Sequence, residues 1–186
     1  GGLIATQRDD LAAALDGLRV MRRSHGSLYD IAVPGYKANL SDVLAAIALV
    51  QLDKVERHAE IRRRHRELYE EGIVGLDGIS AVGRDPRDLH ANHLFVVRID
   101  ADEAGASRDE NQQALADENI GTSIHFLPVH RLTAYRDRLA PRQPPLPVTE
   151  RAGAEVLSLP FSPAHSEADV GDAIAALHRV HERLTG

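Results

Sequence analysis

Two lysines, ten histidines and no cysteine set the chemical repertoire of this 186-residue chain. The lysines are Lys37 and Lys54, so lysine-dependent chemistry within the chain has only those two candidates. Without Cys there can be no disulfide, no thiolate metal site and no Cys nucleophile. The histidines invite a metal site, yet no His-x-x-x-His pair with a Glu occurs. His125 and His130 stand five residues apart across Pro128, which keeps them off a shared helical face. His58, His65, His178 and His181 fall on charged helical stretches and read as surface or hydrogen-bonded groups. His93, His125, His130 and Tyr135 differ, because they fall at predicted strand ends and in the adjacent loop. Rigid scaffolds present binding groups at such places. The run Tyr36-Lys37-Ala38-Asn39 precedes a helix start at Ser41. A Lys and an Asn beside free backbone N–H groups make either an anion site or an ordinary cap and turn. No nucleophile elbow or phosphate-binding glycine loop is present, since Gly72-x-x-Gly75-x-x-Gly78 matches neither spacing.

The elements that must hold these residues alternate between helix and short strand. Residues 2–6 read as a strand, and Thr6 with Asp9 reads as a capping box for a helix over 7–22, ended by His25-Gly26. Residues 24–40 form a long connection. Ser41 opens the longest helix, over 41–71, with Val43, Leu44, Ile47, Ala48, Val50 and Val55 as its apolar stripe. Its second half carries Arg62-Arg63-Arg64 among acids, a pattern that suits a solvated face. Short strands are expected near 79–82 and 123–126. A third, over 93–99, is apolar enough to be covered on both sides. Ser107 with Glu110 caps a helix over 108–119, and Ser166 with Asp169 caps another over 167–184. A helix over 149–156 and a strand over 157–159 lie between them, after a proline-rich loop at 140–148. The result is an α/β domain, a small and mostly antiparallel sheet with helices packed against it.

Composition narrows the class further. Twenty-eight acidic against 22 basic residues leave a net charge of −6, which argues against a nucleic-acid binder. No apolar run approaches the roughly 18–20 residues that span a bilayer, so no membrane partner is expected. The absence of Cys and of a signal-like start reads as a cytoplasmic protein.

Four segments together resemble one family. They are Gly1–Thr6; Gly35-Tyr-Lys-Ala-Asn-Leu-Ser-Asp through Leu52; Asn119-Ile-Gly-Thr-Ser-Ile-His-Phe-Leu-Pro-Val-His130 with Tyr135; and Glu150 through Val170. In order and spacing they are similar to the DegT/DnrJ/EryC1/StrS family of sugar aminotransferases that use pyridoxal 5′-phosphate (PLP). The resemblance implies the C-terminal small domain of the aspartate-aminotransferase (type I) fold. Residues 1–25 would be the tail of the large PLP-binding domain, 26–40 the interdomain connection and 41–186 the small α/β domain. The Schiff-base lysine would lie outside the chain, so that the segment alone is expected to be inert and its first 25 residues its least stable part.

By the same resemblance Tyr36, Lys37 and Asn39 contact the PLP phosphate of the other subunit of a homodimer. His125, His130 and Tyr135 line the side that receives the sugar nucleotide, and His93, from its place at a strand end, is counted with them as a substrate-binding candidate. Thr133-Ala134-Tyr135 departs from the family's common His-Pro-Tyr form. The implied reaction transfers an amino group from glutamate to a nucleotide-linked keto-sugar. A sugar dehydratase of the same family and a non-catalytic dimerisation or regulatory module are the alternatives.

Overall fold

The computed structural model describes residues 2–23, 26, 29–85, 87–139 and 144–186. The expected helix end at His25 and residues 140–143 of the proline-rich loop fall outside them. The chain forms two compact units, Gly1–Val55 and Glu56–Gly186.

The first unit holds helix α1 (Asp9–Val20), a two-stranded antiparallel hairpin of β1 (Arg22–Arg23) and β2 (Ile31–Val33), and helix α2 (Asp42–Leu52). The hairpin occupies what the sequence left as a plain connection. Residues 2–6 are not a strand, because none of them joins a ladder among the described residues. Thr6 does not cap α1 either. Arg8 is the N-cap residue and makes no side-chain cap, while the Thr6 hydroxyl, two residues ahead of it, accepts from the Arg8 N–H at 3.1 Å.

Ser41 does cap its helix, accepting from the Leu44 N–H. That helix stops at Leu52 instead of running to 71. Asp53 and Lys54 form a turn closed by the Lys54 N–H on the Gln51 carbonyl at 3.1 Å, and α3 (Val55–Gly72) starts anew. Asp is a weak helix former and its charge opposes the negative end of the helix dipole. The expected apolar stripe of α2 is not buried: Val43 is 73% and Ile47 54% exposed, and no residue of the helix is buried.

The second unit is built on an antiparallel sheet ordered β3 (Ile79–Ala81), β4 (Phe95–Ile99), β5 (Val156–Leu159). Phe95 pairs with Leu159 and Ile99 with Ile79. Alternate residues Phe95, Val97 and Ile99 point into the core, whereas Val96 and Arg98 are half-buried. The central strand is therefore fully covered on one side only, contrary to expectation. The strand expected at 123–126 shrinks to a single bridge between Ser123 and Ser158, after which the chain leaves the sheet toward Pro128.

Helices α3, α5 (Arg108–Asp117) and α8 (Glu167–Thr185) supply the rest of the core. Tyr69 stacks on Phe95 at 4.7 Å and donates its hydroxyl to the Pro160 carbonyl. Both expected capping boxes, Ser107 with Glu110 and Ser166 with Asp169, are formed. The short helices α4 (Ala101–Ala104), α6 (Thr133–Leu139) and α7 (Pro147–Glu155) complete the unit. Gly78, at φ +72°, lets the chain pass the Ala104 backbone, which any Cβ there would meet at 2.3 Å.

Candidate functional site

In the first unit a strap, residues 34–40, is fastened to the end of α1. The Tyr36 N–H donates to the Leu18 carbonyl at 2.6 Å and the Ala38 N–H to the Arg19 carbonyl at 2.9 Å. These bonds satisfy carbonyls that a helix end leaves without intrahelical partners. Gly35 makes the approach possible, since a Cβ there would lie 2.6 Å from the Gly17 carbonyl oxygen. With its backbone pinned, the strap leaves Tyr36, Lys37 and Asn39 exposed. Among the described residues Lys37 forms no ion pair. Ser41 and the first turn of α2 follow directly. A groove of about 870 Å³ runs between residues 2–6, α1 and the strap, lined by Leu3, Ile4, Leu15, Leu18, Tyr36 and Leu40.

Lys37, Asn39 and Tyr36 supply an ammonium, an amide N–H₂ and a phenol O–H. Residues 34–40 contain no acid. A phosphate accepts hydrogen bonds and carries negative charge, so this donor set beside a helix N-terminus fits the phosphate of PLP. Lys54, in the turn after α2, is exposed and distant in sequence from the strap.

In the second unit the candidate residues surround the Ser123–Ser158 bridge and the segment after it. The half-buried His125 places its Nδ1 2.8 Å from the hydroxyl of Ser158, a buried residue of β5. His130 lies in a 3₁₀ turn, Val129–Arg131, and its Nε2 is 2.5 Å from Oε1 of Glu150 in the first turn of α7. Arg131 donates from Nε to the other Glu150 oxygen at 2.8 Å. The Arg131 guanidinium, followed by His130, holds the Glu150 carboxyl below the usual carboxylate range. Tyr135 is 46% exposed in α6, and Phe126, Leu127 and Val129 are also exposed. Two oriented imidazoles thus stand among uncovered apolar and aromatic side chains, an arrangement able to bind a ligand with polar and flat parts.

His93 is not drawn into any such contact. It is exposed before β4, and the neighbouring buried Asn92 donates its N–H to His90 Nδ1 at 2.9 Å. Ser158 and Glu150 are the partners that sequence reasoning missed. Ser158 could have been suspected as a polar residue set between Leu157 and Leu159. Glu150, 20 positions from His130, leaves no local signal. No group of three or more His, Cys, Asp or Glu able to hold a metal occurs among the described residues, and no helix there is long and apolar enough to cross a membrane.

Solved structures of similar shape point in one direction. The aminotransferase TlmJ from Streptoalloteichus hindustanus superposes with a TM-score of 0.83 at 26% identity, covering 97% of this chain and 47% of its own. DesI, solved in the presence of its TDP-sugar product, gives 0.81 at 30% identity, with 96% and 44% covered. Spr1654 from Streptococcus pneumoniae in its PLP form gives 0.80 at 25% identity, with 97% and 46% covered. The chain therefore spans less than half the length of these relatives. The model of the DegT/DnrJ/EryC1/StrS aminotransferase family matches residues 1–178, and the chain belongs to that family.

Proposed function

We propose that this chain is the C-terminal part of a homodimeric PLP-dependent aminotransferase that moves an amino group from glutamate to a nucleotide-linked keto-sugar. Family membership supports the reaction class, and DesI with its TDP-sugar product supports the kind of acceptor. The observation that carries the reading is the strap, whose backbone is pinned to α1 while the donors Tyr36, Lys37 and Asn39 stay exposed with no acid among residues 34–40. Lys37 and Asn39 hold the cofactor phosphate of the partner subunit, with Tyr36 beside them. When bound, PLP supplies the electron sink that amino transfer requires. His125 and His130 hold polar groups of the sugar nucleotide, and Tyr135 offers a flat face and a hydroxyl to it. His93, exposed and without such a partner, is a peripheral contact.

The test expresses the protein containing these residues and supplies glutamate with TDP-linked keto-sugars. Amino-sugar and 2-oxoglutarate in equal amounts are expected, and neither from any nucleotide keto-sugar tested overturns the reading. Replacing Lys37 and Asn39 together by Ala should weaken PLP binding at least about tenfold, the loss expected for charged donors worth about 1.5–3 kcal/mol. An unchanged cofactor affinity with a lowered melting temperature would remove both residues from the site.

A further inference from the structure

Glu150 belongs to an element made rigid from several directions. Its helix, α7, is tied to the sheet at its far end, where Arg98 of β4 donates from Nε to Glu155 at 2.7 Å, and at its middle by Arg151, which donates to Asp100 just beyond β4 at 3.0 Å. One turn beyond Glu150, Gly153 receives Pro128, whose Cγ would lie 2.5 Å from a Cβ at that position. Positions three apart share a helix face. The same face that seats Pro128 through Gly153 therefore meets His130 through Glu150, and the segment 128–130 is gripped at both ends. His130 itself is mostly enclosed, with 14% of its side chain exposed.

The chemistry of the contact is one-sided. Glu150 stays ionised, being held low by Arg131 and His130, and an ionised carboxylate can only accept. The His130 Nε2 facing it must therefore carry the proton. We propose that Glu150 is a positioning residue that fixes both the ring orientation and the tautomer of His130, leaving Nδ1 as the ring's single open hydrogen-bonding position. That His130 turns this position toward a nucleotide sugar rests on the function proposed above. Arg131 shares the carboxylate and keeps it from swinging away from the ring.

Side-chain ¹⁵N–¹H correlation spectra of the ¹⁵N-labelled 186-residue chain, at about pH 8 where a free imidazole is neutral, read the tautomer directly. His130 should show one protonated Nε2 and one bare Nδ1. His178, whose Nε2 meets the Gly72 carbonyl at 2.7 Å, provides the internal standard for that pattern. Glu150→Ala should return His130 to an averaged mixture of tautomers and leave His178 unchanged. Should that variant not fold, Glu150→Asp withdraws the carboxylate by one carbon and should give partial averaging. An averaged ring in the wild-type chain, or a fixed Nε2–H form that survives loss of the carboxylate, overturns the proposal. Because no substrate is present, that failure is separate from failure of the turnover experiment.

Discussion

The two units of this chain use apolar side chains in opposite ways. In Glu56–Gly186, Phe95, Val97, Leu115, Leu157 and Leu177 are each fully buried in a core shared by three helices and one sheet. In Gly1–Val55 the leucines, isoleucines and valines are as numerous along α2, yet Gly17 is the only buried residue described there. Apolar content alone therefore did not make a core. The second unit offers each strand and helix a facing layer within the same unit, and burial at about 25 cal/mol per Å² then outweighs the ordering cost. The first unit is held instead by backbone bonds, such as those of Tyr36 and Ala38 to the end of α1.

The largest contrast should come from truncating one side chain in each unit. Phe95→Ala removes a ring stacked on Tyr69 and should cost about 3–5 kcal/mol in urea unfolding. Ile47→Ala on the exposed α2 should cost no more than about 0.5 kcal/mol of the same transition. Equal losses would mean that α2 unfolds with the core and that the two units are one cooperative body.

Helix caps give a smaller version of the same contrast. Ser166 and Asp169 form a reciprocal box at the start of α8, so Ser166→Ala should lower stability by about 1 kcal/mol. Thr6 bonds only the Arg8 N–H ahead of α1, and Thr6→Ala should change thermal unfolding by a few tenths of a kcal/mol. A loss of about 1 kcal/mol at Thr6 would show that α1 starts earlier than its Arg8 cap implies.

The smallest expected effect is on pH dependence, and it belongs to the second unit. Burial pushes the pKa of His65 below its ordinary value, against the opposing pull of Glu167. A base whose folded pKa is depressed binds its proton more readily when unfolded, so stability is full above the unfolded pKa of about 6.5 and falls as pH drops below it. The melting temperature should thus decline between about pH 7 and pH 5, and His65→Gln should flatten that slope. A slope unchanged by the substitution assigns it to other groups. Signals from Gly1–Val55 should show no such dependence on His65.

Much of the second unit was legible because its signals are local. Ser107 with Glu110 and Ser166 with Asp169 each state a helix start within a few residues, and both boxes formed as read; the apolar run at 93–99 gave a strand over Phe95–Ile99, though one fully covered on a single side. The donor run Tyr36–Asn39 was also visible, since residue type and the following Ser41 sufficed to suggest an anion site. What failed depended on partners. The 2–6 and 123–126 segments have the composition of strands, but a strand exists only where another edge is in register, and only Ser123 found one. The apolar stripe of α2 has the right period, but periodicity does not name what covers it.

Sequence by itself determined the family, the helix caps, the central strand and the chemical types available for a site, because these are set by residue identity and short-range spacing. Tertiary structure alone decided that Gly35 brings the strap onto α1, that Ser158 holds His125, and that Glu150 holds His130 through a helix docked on Pro128. These contacts join residues some 15 to 35 positions apart, and no local propensity encodes a pairing that only the packing of whole elements brings within hydrogen-bond reach.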